Sequence, residues 1–193
     1  EPQLGTGHAL QVAAPALGDT ERVVVTYGDM PLLSTESMQS MVDAQVGVGA
    51  PGAVSILTAI IEDPTGYGRI LRRDDGSFER IVEHKDATEE ERMVNETNLG
   101  VYCFDRATLD DDLARLDNDN AQGEYYITDL GGMAEAGGRP VLPLRTPSPD
   151  WHARNQKGYG ELAASVNRVR AVRARRAPLA APVLARMAMG TLV

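Results

Sequence analysis

Six short stretches of the 193-residue sequence carry the polar side chains and glycines that could bind a ligand or a cation. They are residues 4–9, 27–29, 63–70, 81–87, 95–100 and 118–129. No Ser-His-Asp or Cys-His arrangement is evident among them, so the sequence does not suggest a covalent nucleophile. Carboxylates, amides and glycine-rich backbone suggest instead that a polar ligand is held in place by hydrogen bonds.

The first stretch, Gly5-Thr6-Gly7-His8-Ala9, leads into a helical pattern. Glycines before a helix let backbone N–H groups approach a base, a ribose or a phosphate closely. The spacing lacks a full Gly-x-Gly-x-x-Gly pattern, and a simple loop-to-helix turn is the better explanation from these residues alone. His8 could act as a base, although a histidine beside a helix start is more often a packed or capping residue.

The second stretch, Tyr27-Gly28-Asp29, follows the β-branched run Val23-Val24-Val25, which predicts a buried strand. Ligands of open α/β sheets bind at the carboxyl ends of strands, and Asp29 would stand at such an end. A carboxylate there could hold Mg²⁺, which is usually bound by one or two carboxylates and by phosphate oxygens. The alternative is an aspartate in a turn before Pro31.

The remaining stretches allow both a loop and a binding interpretation. Gly66 and Gly68 flank Tyr67 and suit a tight loop whose backbone meets a ligand. Glu83 ends a predicted strand, and its carboxylate could accept hydrogen bonds from sugar hydroxyls. From the residues alone, each stretch remains as compatible with an ordinary loop as with a site.

The elements that would position these residues alternate between short apolar runs and longer helical patterns. This alternation predicts an α/β domain with a mostly parallel sheet. The predicted strands are residues 22–27, 53–61, 68–72, 78–82, 97–104 and 140–144. The predicted helices are residues 34–44, 88–93, 105–116, 124–136 and, after a proline-containing break, 160–176.

Composition excludes several classes of protein. The net charge is -9, and the arginines between residues 168 and 176 have no aromatic residues among them, so we expect a solvated helix rather than nucleic-acid binding. The single cysteine, Cys103, lies in an apolar run and predicts a buried strand position. No apolar stretch reaches the ~20 residues that a membrane span needs, and no signal peptide is evident. We therefore expect a cytoplasmic protein.

In this order and spacing, the six stretches resemble the uridyltransferase domain of the bifunctional bacterial N-acetylglucosamine-1-phosphate uridyltransferase and glucosamine-1-phosphate acetyltransferase. The most specific segments are Glu83-His84-Lys85-Asp86-Ala87-Thr88 and residues 120–129. The resemblance implies a Rossmann-like nucleotidyltransferase domain over residues 1–155. It implies a helical arm over residues 156–193, which would lead to an absent left-handed β-helix that acetylates.

The resemblance also implies the reaction. UTP and N-acetylglucosamine 1-phosphate would give UDP-N-acetylglucosamine and pyrophosphate with Mg²⁺ as cofactor, supplying peptidoglycan and lipopolysaccharide synthesis. Gly5 and Thr6 would contact the uracil, and Tyr27 and Gly28 would line the nucleotide pocket. The remaining implied roles are sugar binding by Gly68, Glu83 and Asn98, contact with the sugar and its phosphate by Tyr126 and Thr128, and Mg²⁺ binding by Asp29 and Asn155.

The sequence departs from the family at two places. Asn155 fits the second metal ligand without a gap, but its neighbours do not match, and residues 158–160 offer a competing alignment without a side-chain ligand. The family's first strand and Gly-rich loop, with an Arg and a Lys for the triphosphate, are expected to precede residue 1. We therefore expect little turnover by this chain alone, and the family's β-helix-held homotrimer need not form.

Two alternatives remain open at this stage. One is a catalytically inactive module that binds a nucleotide sugar or acts only as an interaction partner. The other is a sugar-1-phosphate nucleotidyltransferase of different specificity, against which residues 83–86 and 120–124 argue.

Overall fold

The computed structural model describes residues 3–28, 30 and 33–146 of the chain, and it describes the backbone of residues 184–187. The predicted helix over residues 160–176 and the boundary at residue 155 lie outside these described residues, and so do Asp29 and Asn155. The strands are β1 Arg22–Tyr27, β2 Val54–Ile60, β3 Arg69–Arg72, β4 Phe78–Val82, β5 Glu96–Asp105, β6 Val141–Arg145 and β7 Leu184–Met187. The helices are α1 Thr6–Ala13, α2 Thr35–Val48, α3 Glu89–Arg92, α4 Arg106–Arg115 and α5 Asp129–Ala136, with a 3₁₀ turn at Ala14–Ala16.

The central strand is β5, and nine of its ten residues are buried. At Thr97 it pairs with Ala59 of β2 and with Arg69 of β3, and at Tyr102 it pairs with Ile56 of β2 and with Val25 of β1. Because a strand has only two edges, β1 and β3 must lie end to end along the edge opposite β2.

The pairing directions confirm the α/β class but correct the expectation of a mostly parallel sheet. β5 is antiparallel to β1, β2 and β3, and β3 is antiparallel to β4. Among the described strands, parallel pairs join β2 to β6 and β1 to β7. The prediction failed because an unbroken apolar run reports burial on both faces of a strand and carries no information on its direction.

Helices cover both faces of the sheet, which explains the unbroken apolar runs. Val23, Val25 and Tyr102 face a core that includes residues of α1, α4 and α5. Val24 and Cys103 point to the other face and pack in a core with α2. Alternate residues of one strand therefore serve different cores, as the period of two requires. The predicted burial of Cys103 is confirmed.

Local sequence signals account well for the helix ends. The Ser34 hydroxyl accepts a hydrogen bond from the Ser37 N–H and so caps the N-terminus of α2. Thr88 and Glu91 form a complete capping box at the start of α3. No helix of the described residues has both the length and the apolar character needed to cross a membrane.

The predicted helix over residues 124–136 is wrong in its first part, because α5 begins only at Asp129. Residues ahead of it are held by contacts that a helix could not make. The Tyr125 N–H donates to the Leu4 carbonyl at 2.8 Å, and the Asn120 side chain bonds to the backbone of Glu124. Long-range pairing with the chain's first residues therefore overrides local helix propensity.

Candidate functional site

β1 and β3 pair with the same edge of β5, β1 as far as Tyr102 and β3 at Thr97, and the gap between their ends is called the cleft here. The last residue of β1, Tyr27, and the residue before β3, Gly68, both reach the segment of β5 between Asn98 and Gly100. The Asn98 N–H donates to the Gly68 carbonyl at 2.9 Å, which fixes the two segments together. The segment of β5 between the two strand ends is itself buried and carries the polar Asn98 side chain.

β5 carries an irregularity at this point. Its pairing with β2 shifts register between Ile56 and Thr58, and Gly100 adopts a φ of 72°. A Cβ on Gly100 would overlap the Tyr27 ring, so only glycine lets that ring lie across the strand. This bulge brings the Tyr27 ring, which was predicted to line the nucleotide pocket, against Gly100, two residues after Asn98, which was predicted to bind the sugar.

The Asn98 side chain is 7% exposed and is held at both ends of its amide. Its Oδ1 accepts from the Gly100 N–H at 3.0 Å, and its Nδ2 donates to the Tyr102 hydroxyl at 2.6 Å. An asparagine amide offers two N–H donors and two acceptor lone pairs. One N–H and one lone pair therefore remain for a ligand.

The Glu83 carboxylate stands next to Gly68. Both of its oxygens would lie 3.5 Å from a Cβ placed on Gly68, which is van der Waals contact, so the carboxylate lies directly beside the Gly68 backbone. Burial raises the pKa of Glu83, and a hydrogen bond with the Thr128 side chain offsets part of that rise. A partly buried carboxylate that already has one donor is well placed to accept hydrogen bonds from sugar hydroxyls.

The loop before α5 brings two more predicted residues to the cleft. The Tyr126 hydroxyl accepts from Gln122 Nε2 at 2.7 Å, and Tyr126 also interacts with Asp86. Thr128 is 3% exposed, and its side chain forms the hydrogen bond with Glu83. Asp86 further accepts from the Ala121 N–H at 2.8 Å, which ties this loop to the segment that carries Glu83.

The glycine-rich segment at the start of the chain docks on the same loop. Gly5 has a φ of 104°, and a Cβ there would lie 2.7 Å from the Tyr125 carbonyl oxygen. The Gly7 N–H donates to that same oxygen at 2.7 Å, and the Thr6 hydroxyl accepts from the Ile127 N–H at 3.1 Å. Gly5 and Thr6 are therefore fixed through residues 125–127 to the loop that carries Tyr126 and Thr128.

The structure thus joins most of the predicted residues into one network. Direct contacts connect Gly68, Asn98, Glu83 and Thr128, and backbone contacts connect the Thr128 loop to Gly5 and Thr6. Gly28 is exposed at the end of β1, next to Tyr27. Asp29 and Asn155 lie outside the described residues, so the metal site stays a prediction. Within the described part of the chain, no three His, Cys, Asp or Glu side chains are grouped as metal ligands.

The interpretation of the sequence missed four residues of this region. Gly100 and Tyr102 hold Tyr27 and Asn98, and an isolated glycine inside a strand pattern could have signalled the bulge. Asp129 begins α5, and burial raises its pKa to about 6, with the charges of Asp117 and Asp86 adding to the rise.

The fourth residue, Arg69, is only 1% exposed and ties together the segments around the cleft. Its guanidinium contacts the Tyr67 carbonyl, His84 Nδ1 at 3.3 Å and the Arg92 carbonyl at 3.4 Å. The Arg69 guanidinium donates its protons in these contacts, so His84 Nδ1 must accept. No sequence signal distinguished this arginine from an ordinary surface residue.

Two concave surfaces lie at the other end of β1, near Arg22 and Arg106. Their volumes are about 330 Å³ and 510 Å³, and both are lined in part by Arg106. Neither shares a residue with the cleft between β1 and β3. Arg106 and Arg22 in these surfaces are paired with Asp110 and Glu21, so neither surface offers unpaired cationic side chains to an anion.

Comparison with known proteins agrees with the class that this fold and cleft define. The family model for nucleotidyl transferases matches residues 1–145, and the chain belongs to that family. A crystal structure from Bacillus anthracis, described as a glucose-1-phosphate thymidylyltransferase in complex with sucrose, superposes with a TM-score of 0.59. At 17% identity, with 94% of this chain and 65% of that chain covered, this likeness shows the fold alone.

Within the family, the chain is similar to bacterial proteins named bifunctional protein GlmU. It is 48% identical to that of Geobacillus thermodenitrificans over 151 residues, and 50% identical to that of Corynebacterium diphtheriae over 146 residues. These matches cover 78% and 75% of this chain, and 32% and 30% of the relatives. The resemblance to the uridyltransferase domain of the bifunctional bacterial enzyme is thereby confirmed. The chain spans about a third of the length of these curated relatives.

Proposed function

We propose that this chain is the part of a uridyltransferase that binds uridine nucleotide and sugar phosphate. The proposed reaction joins UTP and N-acetylglucosamine 1-phosphate into UDP-N-acetylglucosamine and releases pyrophosphate. The observation that carries the proposal is the convergence of Gly68, Glu83, Asn98 and Thr128 in one cleft, with Gly5 and Thr6 docked on the same loop.

The sugar half of the proposal rests on the chemistry of the cleft. The Glu83 carboxylate accepts hydrogen bonds, and the Asn98 amide has one donor and one acceptor left. A pyranose presents neighbouring hydroxyls that both donate and accept, which matches this pair of side chains. The absence of a side chain at Gly68 leaves room beside the carboxylate for the ring.

The nucleotide half rests on the docked segment at the start of the chain and on Tyr27. Backbone of Gly5 and Thr6 would contact the uracil, and Tyr27 and Gly28 would line the nucleotide pocket. Tyr126 and Thr128 would lie between the two halves, beside the sugar and its phosphate. A ligand that spans both halves would therefore contact every segment of the network.

In the proposed reaction, a phosphate oxygen of N-acetylglucosamine 1-phosphate attacks the α-phosphorus of UTP in line. The new P–O bond forms as the bond from the α-phosphorus to the bridging oxygen breaks, and pyrophosphate leaves with that electron pair. No covalent intermediate with the protein is needed, so the contribution of these residues is positioning. Electrostatic stabilisation must come from cations.

Asp29 and Asn155 are the residues that would hold Mg²⁺. A carboxylate and an amide carbonyl are hard oxygen donors, which suit this ion. When bound, Mg²⁺ would neutralise charge on the phosphates. The expected homotrimer of the family and the cytoplasmic location also stay predictions.

Calorimetric titration tests this proposal. We expect UDP-N-acetylglucosamine to bind the 193-residue chain more tightly than UDP-glucose or dTDP-glucose does. Substitution Asn98→Ala should weaken binding of UDP-N-acetylglucosamine by about tenfold, because two hydrogen bonds worth roughly 0.5–1.5 kcal/mol each are involved. A matched control is Asn118→Ala, since the Asn118 side chain donates to the Gly123 carbonyl at 3.2 Å on the exposed part of the loop.

The outcomes separate the alternatives. Tighter binding of the thymidine nucleotide sugar would assign a different specificity to the site. Binding of UDP-N-acetylglucosamine that is unchanged in Asn98→Ala would remove the cleft from the proposal. No binding to a folded chain, with or without Mg²⁺, would leave only the inactive or interaction module.

A further inference from the structure

One buried residue of β5 contacts the proposed sugar-binding amide but has no assigned role. Tyr102 is 1% exposed, and its ring stacks on Phe104 with 5.6 Å between the ring centroids. Its hydroxyl lies 2.6 Å from Asn98 Nδ2 and accepts a hydrogen bond from it. A buried tyrosine hydroxyl normally has a polar partner, and here the partner is the side chain that would meet the ligand.

The two contacts of Asn98 act on different atoms of its amide. The Gly100 N–H fixes Oδ1, and the Tyr102 hydroxyl fixes Nδ2. With only the first contact, the amide could still tilt about its terminal bond, which has a broad energy profile. With both contacts, the remaining N–H and lone pair point in set directions. A ligand then pays little of the entropy cost of ordering this side chain.

The charged and titratable groups that act on the Tyr102 hydroxyl are Tyr27, Glu83 and Asp129. Burial is the main reason that the pKa of Tyr102 is raised well above its usual value, and these groups add to the effect. The hydroxyl therefore keeps its proton at any working pH. The Tyr102 oxygen uses a lone pair to accept from Asn98. The proton of the Tyr102 O–H is therefore still able to be donated.

We propose that Tyr102 is a positioning residue of the sugar site. Tyr102 sets the orientation of the Asn98 amide, and through it the preference of the site for a ligand hydroxyl that both donates and accepts. This inference rests on the proposed function, because it concerns the same cleft. It adds a residue whose effect should be limited to the sugar part of the ligand.

The test uses Tyr102→Phe in the full chain, since phenylalanine keeps the ring and its packing and removes only the hydroxyl. UDP-N-acetylglucosamine and UDP are each titrated calorimetrically into the wild type and the variant. We expect about a tenfold loss of affinity for UDP-N-acetylglucosamine and less than a twofold change for UDP, which lacks the sugar.

A matched control is Cys103→Ala, one residue further along β5. Cys103 faces the opposite core, so the variant should lose stability while both affinities stay unchanged. A second measurement does not depend on a ligand. The side-chain ¹⁵N–¹H resonances of Asn98 in the free protein should shift in Tyr102→Phe and stay in place in Cys103→Ala.

The possible results are distinguishable. Equal losses for UDP and UDP-N-acetylglucosamine, or no loss for either, would overturn the role of Tyr102 while leaving the proposed function intact. Unshifted Asn98 resonances in Tyr102→Phe would overturn it as well. If the wild type binds neither ligand, the proposed function fails and the inference fails with it.

Discussion

At the scale of single residues, the cleft depends on side chains and glycines that hold one another in fixed positions. Asn98 is held by Gly100 and Tyr102, Tyr27 crosses the strand at Gly100, and Thr128 holds Glu83. Such mutual restraint reduces the motion that a ligand would have to suppress on binding. Substitutions here should therefore change binding and stability together, unless they remove a single polar atom.

Gly100→Ala should be strongly destabilising. The added Cβ would overlap the Tyr27 ring, and the positive φ would be strained in alanine, so we expect a loss of about 2–4 kcal/mol in the free energy of unfolding. Urea denaturation measures this loss. The matched control is Gly76→Ala, which has a φ of 81° and nothing within 4 Å of the added Cβ, and which should cost about 1 kcal/mol. Equal losses would show that the Tyr27 ring does not occupy this place.

Asp129→Asn should stabilise the protein in a pH-dependent way. The pKa of Asp129 is raised from 3.8 to about 6, mainly by burial, so the folded state disfavours the charged form. The cost is absent below pH 3.8, grows between pH 3.8 and 6, and is constant above pH 6. After allowance for solvent screening of a partly exposed group, the variant should be more stable by about 1 kcal/mol at pH 7.

Thermal or urea unfolding between pH 3.5 and 8 checks the Asp129 prediction. Asp75→Asn is a control of opposite sign, because a hydrogen bond from Ser77 lowers the pKa of Asp75. That variant should be less stable than the wild type at neutral pH, and the difference should disappear as the pH falls through the lowered pKa. A pH-independent effect of Asp129→Asn would contradict the prediction.

At the scale of elements, a partly buried ion pair and a hydrogen bond link β5 to the strands on both sides of it. Glu96 of β5 accepts from Arg72 of β3 at two positions, each at 2.8 Å, and from the Thr58 hydroxyl of β2 at 3.0 Å. The Glu96 side chain is 7% exposed. Because β3 is tied to β5 by few pairs, this contact helps to keep the edge of the cleft in place.

Arg72→Met should leave the Glu96 carboxylate buried without its main partner. We expect a loss of about 2–3 kcal/mol, below the usual 3–5 kcal/mol for a buried pair, because the Arg72 side chain is 32% exposed. Adding Glu96→Gln should restore about half of the loss, since the neutral amide can still accept from Thr58. Urea denaturation of the single and double variants provides the measurement.

The control for this pair is Arg80→Met. It removes the ion pair between Arg80 and Glu91, in which the Arg80 side chain is 44% exposed. An exposed pair of this kind contributes at most about 1 kcal/mol. If Arg72→Met costs no more than Arg80→Met, the contact with Glu96 does not hold β3 to β5.

At the scale of the whole molecule, the seven-stranded sheet includes a pairing of β1 with a segment from far along the chain. Val24 through Tyr27 of β1 pair in parallel with Leu184 through Met187. β1 is buried on both faces and carries Tyr27 at its end, so an unpaired edge there would expose backbone N–H and C=O groups close to the cleft.

A chain that ends at residue 183 should therefore be less stable than one that ends at residue 187, by about 1–2 kcal/mol, since several backbone hydrogen bonds of modest net value are lost. It should also self-associate more at high concentration, because the open edge of β1 can pair with another chain. Sedimentation velocity and urea denaturation measure the two effects. Identical behaviour of the two chains would show that residues 184–187 do not complete the sheet.

Much of this protein follows from local sequence. The strand at residues 22–27 and the burial of Cys103 depend on neighbouring residues, and they were predicted correctly. The six polar stretches were also sufficient for the family resemblance. Local propensities and short motifs act over a few residues, so they can be read without the fold.

Only the tertiary structure decided how these pieces meet. The antiparallel direction of β5, the late start of α5 and the separation of β1 from β3 all result from pairings between residues far apart in the chain. The roles of Gly100, Tyr102 and Arg69 appear only there, because each acts on a partner that the register of β5 or the packing of loops places beside it. Local sequence determined which residues could bind, and long-range pairing determined which of them share one cleft.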